Sequence, residues 1–183
     1  GVGIQVGGLT TIDGSLSLGA QTADLNGNLG GSGSLVLTSG RVRCSGATVD
    51  FSSLGTLTWG SGIFEVDGGN TQAVTARAAS GFQNVVCNKG GNTATISGGG
   101  DFAVAGTTDI QAGNLATGGA VTVTLTGAVT VTGNLDTTAT QTTFTALCTV
   151  ENGGSLTSTT VNAILFFNAG LTVDAGGSVN LNA

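Results

Sequence analysis

The chain has 183 residues, room for one domain, with 39% hydrophobic, 8% charged and 4% aromatic residues, 34 glycines, and no proline, histidine, methionine or tyrosine. The missing proline and the absence of a glycine period of three exclude collagen, and low charge combined with apolar content excludes disorder. A net charge of −6 with four basic residues, Arg41, Arg43, Arg77 and Lys89, leaves no positive stripe for nucleic acid, and the longest apolar run, 163–167, falls far short of the ~20 residues that span a bilayer.

Taken in order, the elements are all strands. Strong helix formers are scarce, while Val, Thr and Gly dominate, and the apolar period is two rather than 3.6. Leu16–Leu18, Leu35–Leu37, Phe64–Val66, Phe102–Val104 and Leu171–Val173 each alternate inward and outward positions. The phrase GAVTVT occurs twice, from Gly119 and from Gly127, with Val121, Val123, Leu125, Val129 and Val131 on the inward side. Corners repeat as Gly-Ser/Asn-Leu/Val at Gly14, Gly27, Gly33, Gly113, Gly133, Gly154 and Gly177, where glycine is expected to supply a positive φ. Asn26-Gly27 and Asn152-Gly153 are the only Asn-Gly dipeptides, too few of that hairpin signal for a β-sandwich or an up-and-down barrel. Residues 1–183 therefore read as one all-β unit, a single-stranded parallel β-helix or β-solenoid without helix. Turns of roughly 20–25 residues stacked ~4.8 Å apart give about eight turns and a rod near 40 Å long.

From Gly68 onward the pattern becomes more specific: Gln72 and Val74, then Phe82, Asn84, Val85 and Cys87, then Gly90-Gly91, Ala94, Ile96, Phe102, Val104, Ile110 and Leu115. This succession resembles the repeat of secreted bacterial surface proteins, the adhesin-like β-solenoids in the style of filamentous haemagglutinin and autotransporter passengers. The resemblance covers about a quarter of the chain well. It implies a parallel β-helix and an extracellular or cell-surface setting rather than an activity.

Few side chains suit chemistry. Glu65 and Asp67 flank Val66, so both project outward about 7 Å apart on one strand, a separation compatible with a carboxylate pair for glycoside hydrolysis. The plainer reading is two solvated surface acids, and catalytic, cofactor and metal sites are expected to be absent. Cys44, Cys87 and Cys148 share strand parity with Val42, Val85 and Val150 and read as buried small hydrophobes, with a disulfide between adjacent turns as the alternative. Gly98-Gly99-Gly100-Asp101 is one lone copy of a calcium-repeat-like phrase and reads as turn chemistry. Trp59 either fills a corner or stacks on a sugar ring, the corner being preferred. Arg41 and Arg43 form an outward basic pair suited to solubility or ion pairing. Thr-x-Thr pairs such as Thr122/Thr124, Thr130/Thr132 and Thr143/Thr145 would suit an ice-binding face only if they stack in one column, and their spacing is uneven.

The functional expectation is accordingly structural: a segment of a longer or processed surface protein, or one protomer of a fibre, whose turns continue end to end. Missing methionine and strand pattern at both ends motivate it, because an open solenoid edge invites strand addition. The alternatives are a glycan- or surface-binding β-helix module, including a phage or viral fibre segment, and more remotely a polysaccharide-acting enzyme or an ice-binding protein. Expected partners are further copies or turns of itself and a cell-surface glycan. Low charge and absent proline also suit a protease-resistant exterior.

Overall fold

A computed structural model describes residues 3–77, 81–98, 101–119 and 122–181. Among the described residues 58% lie in strands and no helix is present. Among the described residues, twenty-three strands, β1 to β23 in chain order, coil into a β-solenoid of about eight turns in which every pairing between strands is parallel. Parallel pairing rules out hairpins, and Asn26-Gly27 is a corner between two faces rather than a reversal.

Each turn crosses three faces. The first face stacks β1 (Ile4–Val6), β4 (Thr22–Leu25), β7 (Arg41–Cys44), β10 (Ile63–Asp67), the start of β12 (Asn84–Ser97), the start of β14 (Thr108–Gly118), β16 (Val129–Val131), β19 (Cys148–Val150) and β22 (Leu171–Val173). The second stacks β2 (Thr10–Thr11), β5 (Leu29–Gly30), β8 (Thr48–Asp50), β11 (Gln72–Thr75), the ends of β12 and β14, β17 (Asn134–Asp136), β20 (Ser155–Ser158) and β23 (Ser178–Leu181). Because β12 and β14 bend across the corner, these two faces form one 16-stranded sheet. The third face is two separate sheets. One holds β3 (Ser15–Gly19), β6 (Ser34–Leu37) and β9 (Thr56–Thr58); the other holds β13 (Phe102–Val104), β15 (Thr122–Leu125), β18 (Gln141–Phe144) and β21 (Ile164–Phe167).

The two-residue alternation of the sequence translates directly into columns. On the first face Val6, Leu25, Cys44, Val66, Cys87, Ile110, Val131, Val150 and Val173 are consecutive register partners pointing inward. Members from Leu25 to Val150 are at most 1% exposed. Such a column buries aliphatic surface worth about 25 cal/mol per Å2, which substitutes for the large aromatic core this composition lacks. Val121, expected on the inward side, lies outside the described residues.

The corner glycines work differently from expectation. Of those in the Gly-Ser/Asn-Leu/Val phrases, only Gly113 has a positive φ, 74°. Gly27, Gly33, Gly133, Gly154 and Gly177 are required by stacking, whereas Gly14 has open space around it. A Cβ on Gly27 would run into the carbonyl of Gly8 one turn earlier, and one on Gly33 into the carbonyl of Gly14. Successive turns hydrogen-bond through backbone at these corners, as when Ser34 N donates to Gly14 O at 2.7 Å, and a side chain there would hold the turns apart.

Candidate functional site

A group of charged residues and four aromatic rings lies around the contact between the third turn (β7, β8, β9) and the fourth (β10, β11 and Phe82). Outward on the first face, Gln5, Asp24, Arg43, Glu65, Val86 and Asp109 are successive register partners. Glu65 does point outward, as its parity requires, but it is only 3% exposed. Arg41 Nη1 donates to Glu65 Oε2, and Arg43 Nε lies 3.4 Å from Glu65 Oε1. The two arginines fold over the carboxylate from the preceding turn and bury it. Arg43 also faces Asp67 Oδ2 at 3.6 Å and Asp24 Oδ2 at 3.9 Å.

Asp67 shares the strand but not the clamp. Its Oδ1 is buried without a hydrogen-bond partner. Burial, then the neighbouring Glu65 charge, pushes its carboxyl above the usual range, with Arg43 pulling the other way. Glu65 is thus closed off rather than solvated, and neither acid lines the two cavities described below. Closure follows from turn length, which brings Arg41 and Arg43 beside a strand some twenty residues later.

Inside the corner between the first and second faces lies a polar relay. Lys89, 0% exposed, donates from Nζ to the Asp67 carbonyl at 2.5 Å and to Gln72 Oε1 at 2.8 Å. Gln72 Nε2 in turn donates to the carbonyls of Cys44 and Gly46, both at 2.8 Å. Gly90 and Gly91, at φ 59° and 103°, bend β12 so that Lys89 points inward. Burial lowers the Lys89 pKa, partly offset by Cys87 and Asp67. Asn84 completes the set. Its Nδ2 donates to the carbonyls of Ser61 and Gly62, each at 3.1 Å, and its Oδ1 accepts from Thr107 N at 2.9 Å. Gln72, Phe82 and Asn84, the most specific residues of the repeat-like stretch, are therefore ties between turns.

In the bore beneath, Phe51 and Trp59 of the third turn meet Phe64 and Phe82 of the fourth. Phe51 and Phe64 pack edge to face at 5.2 Å, and Phe64 and Phe82 stack at 4.9 Å. Trp59 is 6% exposed and fills a corner, as preferred, so it offers no ring face to a sugar. Its Nε1 is buried without a partner. Over this cluster lies a cavity of about 350 Å3 walled by Leu57, Thr58, Trp59, Gly60, Phe82 and Ala103 among others. A second cavity, about 300 Å3 and lined by Ile4, Val6, Ile12, Leu16 and Leu25, is the mouth of the bore at the first turn.

Cys44, Cys87 and Cys148 are free and buried. Cys44 and Cys87 share a column but are separated by Val66, and Cys148 stands in the neighbouring column after Val129, so no two cysteines occupy adjacent turns. Burial pushes the Cys87 and Cys148 thiols up to about 12 and Cys44 higher still, making them inert as nucleophiles. Among the described residues no group of three or more His, Cys, Asp or Glu gathers to hold a metal. Gly99 and Gly100 of the calcium-like phrase lie outside the described residues. The threonines form mixed columns: Thr124 and Thr143 stack between Ala103 and Phe166, and Thr122 is followed by Gln141 and Ile164. Among the described residues no helix is long and apolar enough to cross a membrane. No protein-family model matches the chain, and neither do any curated protein or any solved structure.

Proposed function

We propose that the chain is a non-enzymatic structural β-solenoid of an extracellular fibre, adhesin stalk or surface layer, continued end to end by further turns. One observation carries this reading. Leu171 and Val173 extend columns that are fully buried one turn earlier at Cys148 and Val150, yet they are 37% and 44% exposed. Another parallel turn laid on β22 and β23 would bury them and pair their open edge. The resemblance of the 68–115 stretch to secreted adhesin-like repeats supports the extracellular setting.

Electron microscopy of the purified chain over a range of concentrations tests the end-to-end element. Filaments with an axial repeat near one rod length are expected. Single rods alone at the highest concentration reached would overturn it.

A further inference from the structure

We infer that the open edge of β21, on the third face, is a docking site for an extended segment of another polypeptide. The segment adds as one further strand, with apolar side chains on both of its sides. This goes beyond the structural role above and holds for single rods and stacked ones alike.

Topology leaves the edge open. The first described strand, β1, lies on the first face, and the last, β23, lies on the second. The first face therefore ends at β22 and the second at β23, whereas the third ends earlier, at β21. Among the described residues β21 pairs with β18 alone. A second copy laid end to end does not close this edge. Its β1 and β2 would meet β22 and β23, and its β3 would then stand two strand spacings from β21, about 9.6 Å away. One extended strand fits between them.

Side chains mark β21 as a surface for that strand. Inward, Leu165 and Phe167 continue columns whose preceding members, Thr142 and Phe144, are fully buried. Phe167 stacks on Phe144 at 4.6 Å, yet both Leu165 and Phe167 are only partly covered. Outward, Thr124 and Thr143 are followed by Phe166, and Thr122 and Gln141 by Ile164. The outer surface of this sheet thus turns from polar to large and apolar at its edge strand, where Ile164 and Phe166 are 52% and 44% exposed. Sheet edges are ordinarily blunted by charge or proline, and residues 152–173 hold neither. An exposed edge captures an extended peptide by backbone pairing, and alternate side chains select it. Because β21 is apolar on both sides, the matching segment is apolar on both sides too. A second copy's β3, with Ser15 and Ser17 outward, does not match.

Binding of a labelled peptide to the full chain, followed by hydrogen exchange of the complex, tests the site. The probe is a lysine-flanked run of Val, Ile and Phe, apolar on both sides when extended. Its control carries a central proline, which removes a ladder donor. Saturable binding of the probe, slowed exchange confined to β21, and clearly weaker binding of the control are expected. The Ile164→Thr, Phe166→Thr double variant restores the polar pattern of β15 and β18. It is expected to bind the probe roughly tenfold more weakly, the factor that ~1.4 kcal/mol represents. Equal affinity for the proline control would mean unspecific apolar adhesion and would overturn the proposal, as would protection at β1 to β3 or at β22 and β23 in place of β21. Slow exchange at β21 in the chain alone, lost on dilution, would show that a second copy holds the edge and would overturn it too. Should the double variant fail to fold, the protection map and the proline control remain decisive.

Discussion

Glu65 and Asp67 stand two residues apart on β10 and depend on the same arginines unequally. Glu65 receives both guanidiniums and is buried by them, whereas Asp67 has one distant Arg43 contact and an unpartnered oxygen. Three carboxylates, Asp24, Glu65 and Asp67, crowd two arginines, so the least favoured one carries a penalty. Its raised pKa means that folding disfavours the carboxylate form: the cost is absent below the unfolded value near 4 and is felt above it. Asp67→Asn should hold or raise stability at pH 7, by up to about 1 kcal/mol, and the gain should vanish near pH 3. Denaturant titration at both pH values checks this, and a loss at pH 7 would show that Asp67 belongs to the clamp. Thr142 poses a related question inside the bore. It lies between Val123 and Leu165 in an inward column, 0% exposed, with its hydroxyl unpartnered. Thr142→Val keeps the shape and removes a buried unsatisfied group, so a gain of about 1 kcal/mol in chemical denaturation is expected.

At the scale of the element, what distinguishes this coil is the closeness of its corners. Gly27 and Gly14 both open the same Gly-Ser/Asn-Leu phrase and look interchangeable in sequence. In the structure a Cβ at Gly27 strikes the Gly8 carbonyl, while one at Gly14 meets nothing within 4 Å. Gly27→Ala should therefore cost several kcal/mol, about 3 or more, because backbone cannot yield as a flexible side chain can, and Gly14→Ala should lie within about 0.5 kcal/mol of wild type. Thermal unfolding of the two variants side by side decides the point, and equal losses would return the explanation to φ alone. The contrast marks the limit of reading strands from sequence. Alternation in Leu35–Leu37, Phe64–Val66 and Val129–Val131 reports side-chain direction, which is local, and so the strands and the inward cysteines are legible. Corner residues obey no two-residue period. Nothing in the alternation marks Lys89 as buried, and only the bend at Gly90-Gly91 turns it inward onto Gln72. A signal for the ion clamp was nonetheless present, since turns of 20–25 residues set Arg43 beside Glu65. It stayed hidden because turn length drifts, with ties between turns 19 residues apart at Asp13–Ser32 and 23 apart at Asn84–Thr107.

For the whole molecule, the continuous bore converts three scattered cysteines into one shared response to alkaline pH. The chain has no tyrosine, so between pH 9 and 12 its side-chain titration is that of Cys44, Cys87, Cys148 and Lys89. Each thiol is fully buried and holds its proton until about pH 12 or beyond, whereas in the unfolded chain it ionises near 9.0. The unfolded state therefore releases protons first. The thiol contribution to stability is complete below pH 9 and falls as pH climbs toward 12, by up to about 1.4 kcal/mol per pH unit for each cysteine. Lys89 has the opposite sign: its lowered pKa means the folded state gives up that proton earlier, which adds stability as pH rises toward 10.5. Three groups against one leave a net loss. Denaturation midpoints measured from pH 8 to 10.5 should fall steeply for the natural chain. In the Cys44→Ala, Cys87→Ala, Cys148→Ala triple variant the starting stability should be lower, since three column positions lose volume, but the slope should flatten or reverse as Lys89 takes over. Parallel slopes for the two proteins would mean that water reaches the thiols in the folded state, and a column open to water could not hold these turns together.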